Sequence, residues 1–221
     1  MFRRIITKLK RIKTYFMLRL RGKLRGMDLN DRGHATILKL PKTGGNGFRL
    51  SVVGKGHRIE IEDGADISGL TLNVAGDGNT LRVGAGTVFA SGSHIWLLFS
   101  NNTVEIGSKT AFLGGCIWTG DDATKISIGS DCMIAGGADI RCGDGHPIYD
   151  LKTGKKLNTA SHITIGNKVW LAKDVSILKN VTIGSGSVVG AFSLVTRDAP
   201  ENAIVAGCPA KLIREGIRWE P

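Results

Sequence analysis

The sequence predicts an all-β fold in which short parallel strands wind into a three-sided coil, and three observations carry that expectation. Six consecutive hexapeptides each begin with an aliphatic residue, at Ile165, Leu171, Ile177, Ile183, Val189 and Val195. Aromatic residues make up only 6% of the 221 positions, so a core must be built from Ile, Val, Leu and Ala. The 31 glycines against 5 prolines suit many tight corners better than a disordered linker. A period of six matches neither the 3.6 of a helix nor the two-sided alternation of a simple hairpin. It does match a coil of three hexapeptides per turn, with the first residue of each pointing inward. Successive layers then stack at about 4.8 Å, the ordinary strand separation.

Taken in order, residues 1–33 form a basic, amphipathic, helical segment. Residues 1–26 hold ten Lys or Arg and no acid, which leaves 30 − 10 = 20 basic against 19 acidic residues in the rest of the chain. The net charge of +11 therefore belongs to a tail, and the remainder is nearly neutral. Phe2, Ile5, Ile6, Leu9, Ile12, Phe16, Leu20 and Leu24 recur at helical spacing, with Lys and Arg on the other faces. Such a helix can lie on an anionic membrane surface, or dock on its own domain or a neighbouring subunit. Nucleic acid is not expected as a partner, because no basic groove interleaved with aromatics and no known module accompanies the charge.

Residues 34–200 form the coil. Ile61, Val83, Ile106 and Ile128 lie 22, 23 and 22 residues apart, each an eighteen-residue turn plus a small bulge, at AGDGNT, LLFSNN and TGDDAT. From Ile128 to Ile165 is 37 residues, so about nineteen leave the coil as an excursion over 142–161, within RCGDGHPIYDLKTGKKLNTAS. That loop presents His146. Small residues follow the inward aliphatic ones at Gly166, Ala172, Gly184 and Gly190, where a corner is expected. The fifth position of each hexapeptide is also small or branched: Val169, Val175, Val181, Ser187, Ser193 and Ala199. Residues 201–221 form a C-terminal extension, with a short segment near Ala210–Gly216.

Cys116, Cys132, Cys142 and Cys208 show no CxxC spacing, and no apolar run has the length of a signal or spanning segment. A cytoplasmic setting with free thiols is expected, at the inner face of the membrane if residues 1–26 bind it.

The hexapeptide coil, the DGHPI loop, VWLAKDVSILKNVTIG, SVVGAFSLVTRD and AIVAGCPAKLIRE together resemble the hexapeptide-repeat acyltransferases. Within them the chain is most similar to the galactoside, maltose, Nod-factor and capsular-polysaccharide O-acetyltransferases, over about residues 61–216. The resemblance implies a left-handed parallel β-helix, acetyl-CoA as acyl donor without a metal, a homotrimer, and a sugar or glycan acceptor. It implies His146 as the catalytic base and Trp170 beside the thioester end of acetyl-CoA. The family's other cofactor contacts fall on Lys173, Ala191, Thr196, Arg197, Lys211 and Arg214. Lys173 stands where a small residue is usual, Phe192 follows Ala191 where glycine is usual, and Cys208 sits in the middle of the usual GNPAK. Asp144 and Asp122 are candidates for binding the acceptor, with turn formation as the competing role of Asp144.

The chemistry agrees with those residue types. A sugar hydroxyl attacking a thioester must lose its proton, and a histidine with an ordinary pKa near 6.5 can take it at neutral pH. The phosphates of CoA call for cations such as Arg197, Lys211 and Arg214. Left-handed coil carbonic anhydrases hold zinc with three histidines, two of them five residues apart, a spacing absent among the five histidines here. Acetylation of an antibiotic and a non-catalytic scaffold are the alternative readings. Retention of His146 together with the basic residues weighs against the scaffold.

Overall fold

A computed structural model describes residues 28–31, 37–43 and 45–221. The amphipathic stretch expected over residues 1–26 lies outside the described residues. The rest is an all-β solenoid of three parallel sheets that share one core. In chain order, face I collects eight strands, from Asp28–Asp31 and Arg49–Val52 through Ala138–Arg141 to Leu194–Val195. Face II collects seven, from Ile37–Lys39 to Val181–Ile183. Face III also has seven and includes Val88–Phe89, Met133–Ile134, Trp170–Leu171 and Ala203–Gly207. Its last strand, Ala210–Glu215, turns back antiparallel on Ala203–Gly207.

The coil starts earlier than the sequence suggests. Asp28–Asp31, assigned above to the helical segment, pairs in parallel with Arg49–Val52. Backbone pairing with the first complete rung decides those four residues against helix. No helix among the described residues is long and apolar enough to cross a membrane.

The aliphatic rungs form the columns that their spacing predicts. Val83 stacks on Ile61, and Ile106, Ile128, Ile165 and Ile183 follow in register on face II. The corresponding columns are Leu72, Ile95, Ile117, Ile140 and Ile177 on face I, and Phe89, Phe112, Ile134, Leu171 and Val189 on face III. All of these side chains are buried. The branched or small fifth positions, Val169 through Ala199, are buried as well.

The corners have a different cause from the one expected. In five of the six hexapeptides the chain turns at the fourth position, where Lys168, Asp174, Asn180, Gly186 and Phe192 all take left-handed φ values. The small second residue answers instead to crowding between layers. A Cβ on Gly166 would come within 2.7 Å of the Ser185 backbone nitrogen, and one on Gly184 within 2.4 Å of that of Glu201.

The bulges stack at the corner between faces I and II, where a polar ladder closes them. His57 Nδ1 accepts the Asn79 amide (3.2 Å), and Asn79 Oδ1 accepts the Asn102 amide (2.8 Å). Asn102 Oδ1 in turn accepts both the amide and the hydroxyl of Thr124, each at 2.6 Å. All four residues are buried, and the ladder satisfies donors that the bulges withdraw from the sheets.

Candidate active site

The excursion leaves from this same corner, one rung above the last bulge. It departs directly after the face I strand Ala138–Arg141 and rejoins face II at Ile163–Ile165. Its two ends are closed by the Ser161 amide on the Cys142 carbonyl (3.0 Å). Cys142 is buried and caps the ladder, its thiol donating to Thr124 Oγ1 at 3.1 Å. Burial raises the Cys142 pKa, so the thiol nearest His146 in sequence is a packing group. Gly143 lets the loop base lie directly on the bulge beneath: a Cβ there would stand 2.7 Å from Gly120 Cα.

Beyond its base the loop is a small hairpin. Leu157 donates to the Ile148 carbonyl, Asp150 to that of Lys155, and Gly154 to that of Asp150. His146 is exposed just before the hairpin, after Gly145 at φ 83°, a conformation glycine adopts without strain. Asn158 fastens this segment across its mouth. Its amide Nδ2 donates to the His146 carbonyl (2.8 Å) and to Asp144 Oδ2 (2.9 Å), while its Oδ1 accepts the Ile148 amide (2.7 Å).

Two ion pairs tie the loop to the coil. Lys179, from the rung above, reaches Asp144 at 2.5 Å, and Lys156, from the loop, reaches Asp121 on the bulge below at 2.5 Å. Lys179, and then the Asn158 amide, lower the pKa of Asp144. Lys156, with the Ala160 backbone amide, does the same for Asp121. Asp122 is exposed, and its Oδ1 accepts the Ser100 amide at 2.7 Å. Asp121, its neighbour, is the residue that holds the loop. Sequence reasoning missed Asn158, Lys179 and Lys156; the one available signal was the doubled acid at Asp121-Asp122.

The expected cofactor residues do not gather in one place. Thr196 and Arg197 are exposed on the I–II corner above the loop. Lys173 and Ala191 lie at the opposite edge of face I, on the III–I corner, joined through the Phe192 amide and the Lys173 carbonyl (2.9 Å). Lys173 is exposed and 3.8 Å from Asp174, while Phe192 is 69% exposed and turned away from the core. Lys211 and Arg214 are exposed on the final antiparallel strand. Trp170 faces outward on face III, 37% exposed, its ring 5.9 Å from that of Trp219. No signal in the sequence pointed to Trp219.

One face therefore separates the corner of His146 from that of Lys173 and Ala191. At about 3.3 Å per residue, a five-residue strand such as Ser93–Leu97 makes that face roughly 15 Å across. Its outer surface is unusual. His94 Nδ1, Asp139 Oδ1 and Arg141 Nε are buried without a hydrogen-bond partner among the described residues. Beside them Arg141 lies over the Trp118 ring, and Trp96 is 38% exposed. Face II is coated instead by a run of ion pairs linking Arg58, Glu60, Arg82, Glu105 and Lys125. Among the described residues, no three His, Cys, Asp or Glu side chains gather as metal ligands would.

Residues 162–197 match the family described as "Bacterial transferase hexapeptide (six repeats)". The polysialic acid O-acetyltransferase of Neisseria meningitidis is 37% identical over 175 residues, which cover 79% of this chain and 80% of that protein. Its counterpart from Escherichia coli O1:K1 / APEC is 37% identical over 116 residues, 52% of this chain and 38% of that protein's own length. Among solved structures, the polySia-specific acetyltransferase NeuO superposes with a TM-score of 0.82 at 32% identity, covering 89% of each chain. The polysialic acid O-acetyltransferase OatWY gives 0.76 at 31% identity, covering 89% of this chain and 88% of that one.

Proposed function

Because the chain belongs to the hexapeptide-repeat acyltransferase superfamily, in its sugar O-acetyltransferase branch, we propose that it acetylates a hydroxyl of an acidic surface glycan with acetyl-CoA as donor. The observation that carries this reading is the excursion loop. About nineteen residues leave the coil together, and that segment holds an exposed histidine clamped at both ends by Asn158 and two ion pairs.

In the reaction, His146 accepts the proton of the sugar hydroxyl as its oxygen attacks the thioester carbonyl carbon. A C–O bond forms and the carbonyl oxygen becomes an oxyanion, for which backbone N–H groups or the Trp170 indole are candidate donors. The intermediate collapses with cleavage of the C–S bond, and the imidazolium returns its proton to the departing thiolate. The products are the acetyl ester and free CoA, with no covalent enzyme intermediate. Arg197, Lys211 and Arg214 meet the CoA phosphates, Lys173 and Ala191 line the donor path, and Thr196 stands beside Arg197. Asp144 and Asp122 remain the acceptor-side candidates.

The site is proposed to be shared between copies of a homotrimer. Three features support this: the two separated corners, the unpartnered buried polar atoms on face I between them, and the apolar surface of the loop. On that loop Ile148, Tyr149, Leu151 and Leu157 are all more than half exposed, a poor surface to leave in water. The acidic acceptor is supported by the polysialic acid relatives and by Lys152 and Lys155, exposed on the same hairpin.

Release of CoA thiol from acetyl-CoA, measured with a panel of hexoses, N-acetylhexosamines, polysialic acid and antibiotics, tests the proposal. Polysialic acid or a related acidic glycan should drive release, and His146→Ala should lower it about 10²–10⁴-fold. Release that survives the substitution would remove His146 as the base. A response to antibiotics alone would replace the glycan reading.

A further inference from the structure

The C-terminal residues return to the coil, and what they carry there is aromatic. The Ile217 amide donates to the Asn202 carbonyl at 2.9 Å, which turns the chain off the last strand and back along face III. Trp219 is only 9% exposed, between the exposed Arg218 and Glu220. Its Nε1–H donates to the Lys168 carbonyl at 2.8 Å, and its ring meets that of Trp170 at 43° with centroids 5.9 Å apart.

Trp170 needs such a support. It opens a strand of only two residues, Trp170–Leu171, and its outward neighbours in register are Met133 below and Val188 above. Neither offers a ring to pack against it, whereas Trp219 does. Lys168 is the left-handed corner residue from which that strand departs. By bonding to its carbonyl, Trp219 is referenced to the same corner that aims Trp170. Trp219 has little surface left for a ligand, whereas Trp170 is 37% exposed and open on one side. Tilted aromatic pairs with a satisfied indole N–H are a recurrent means of fixing one ring against another.

We propose that Trp219 is a positioning residue for the acetyl donor, the C-terminal strap holding the Trp170 indole so that its open edge faces the thioester. This rests on the reading of Trp170 as a donor-site residue. An indole free to rotate would lose the geometry on which a reacting thioester depends.

The test uses the full-length protein, with steady-state kinetics and thermal melting of Trp219→Ala, Trp219→Phe, Trp170→Ala and the double variant. Trp219→Ala should lower kcat/KM for acetyl-CoA about tenfold while leaving the acceptor KM unchanged. Trp219→Phe keeps a ring in place without the N–H to Lys168 and should recover only part of that loss. The double variant should be no slower than Trp170→Ala alone, since the strap acts only through Trp170. Donor kinetics unchanged in Trp219→Ala, whether or not its melting temperature falls, would overturn the positioning role. If Trp170→Ala itself turns over normally, the donor-site reading fails first and takes the strap with it. Impairment of Trp170→Ala alone would sink only the strap.

Discussion

At the scale of single residues, the loop histidine is held by neighbours that are themselves held. Asn158 closes the turn around the His146 carbonyl, and Asp144 ties that turn to Lys179 on the next rung. The Asp144 pKa is lowered, chiefly by Lys179. The tether's contribution to stability is therefore fully present above the ordinary carboxylate value near 3.9, and is lost as pH falls through the lowered one. Asp144→Asn should accordingly melt below the wild type at neutral pH, with a gap that narrows only in acid beneath that range. A gap that closes already between pH 7 and 5 would show that another group controls the tether. Cys116 and Cys132 take no part in this tether. Burial, and secondarily Asp139, push the Cys116 thiol up to about 11, and burial raises Cys132 as well.

At the scale of elements, the solenoid is a set of columns, and a break in one column is felt by the rungs it joins. The polar ladder at the I–II corner is the most exacting of them. Asn102 accepts two hydrogen bonds from Thr124 and donates at 2.5 Å to the Leu98 carbonyl. Asn102→Ala would orphan the buried Thr124 amide, at a cost of about 1–3 kcal/mol. The expected reading is a lower melting temperature and a loss of acetyl transfer, because Thr124 also receives the Cys142 thiol at the base of the loop. An unchanged melting temperature would mean that water replaces the side chain. The same reasoning explains why the corner positions were misjudged from sequence. A small second residue and a left-handed fourth residue recur with the same period, and the period alone does not say which of them turns the chain.

At the scale of the whole molecule, His146 belongs to one edge of face I, and Lys173 and Ala191 to the other. In the proposed shared site, neither edge of one copy is complete without a neighbour. Mixed oligomers of His146→Ala and Trp170→Ala, each inactive alone, should regain activity, because some grooves would pair an intact histidine with an intact tryptophan. Absence of recovery in demonstrably mixed oligomers would place both residues in the site of one chain. The recovered fraction can be read directly from CoA release against the wild type.

The sequence by itself determined the architecture, because inward residues repeat at a fixed interval and each occupies one column of a shared core. Ile61, Val83, Ile106, Ile128, Ile165 and Ile183 could be placed on one face from their spacing alone. The excursion was legible for the same reason, as 37 residues where a rung of about 22 was due. Only the tertiary structure decided what surrounds His146. Lys179, Asp121 and Asn158 are 33, 25 and 12 positions away from it, by subtraction of residue numbers, and belong to a rung above, a rung below and the far side of the loop. Trp219 meets Trp170 across 49 positions, likewise by subtraction, through a strap that obeys no repeat. Periodicity encodes which residues share a face. Contacts between a loop, a corner and a chain end follow from where the backbone returns in space, and no interval along the chain records that.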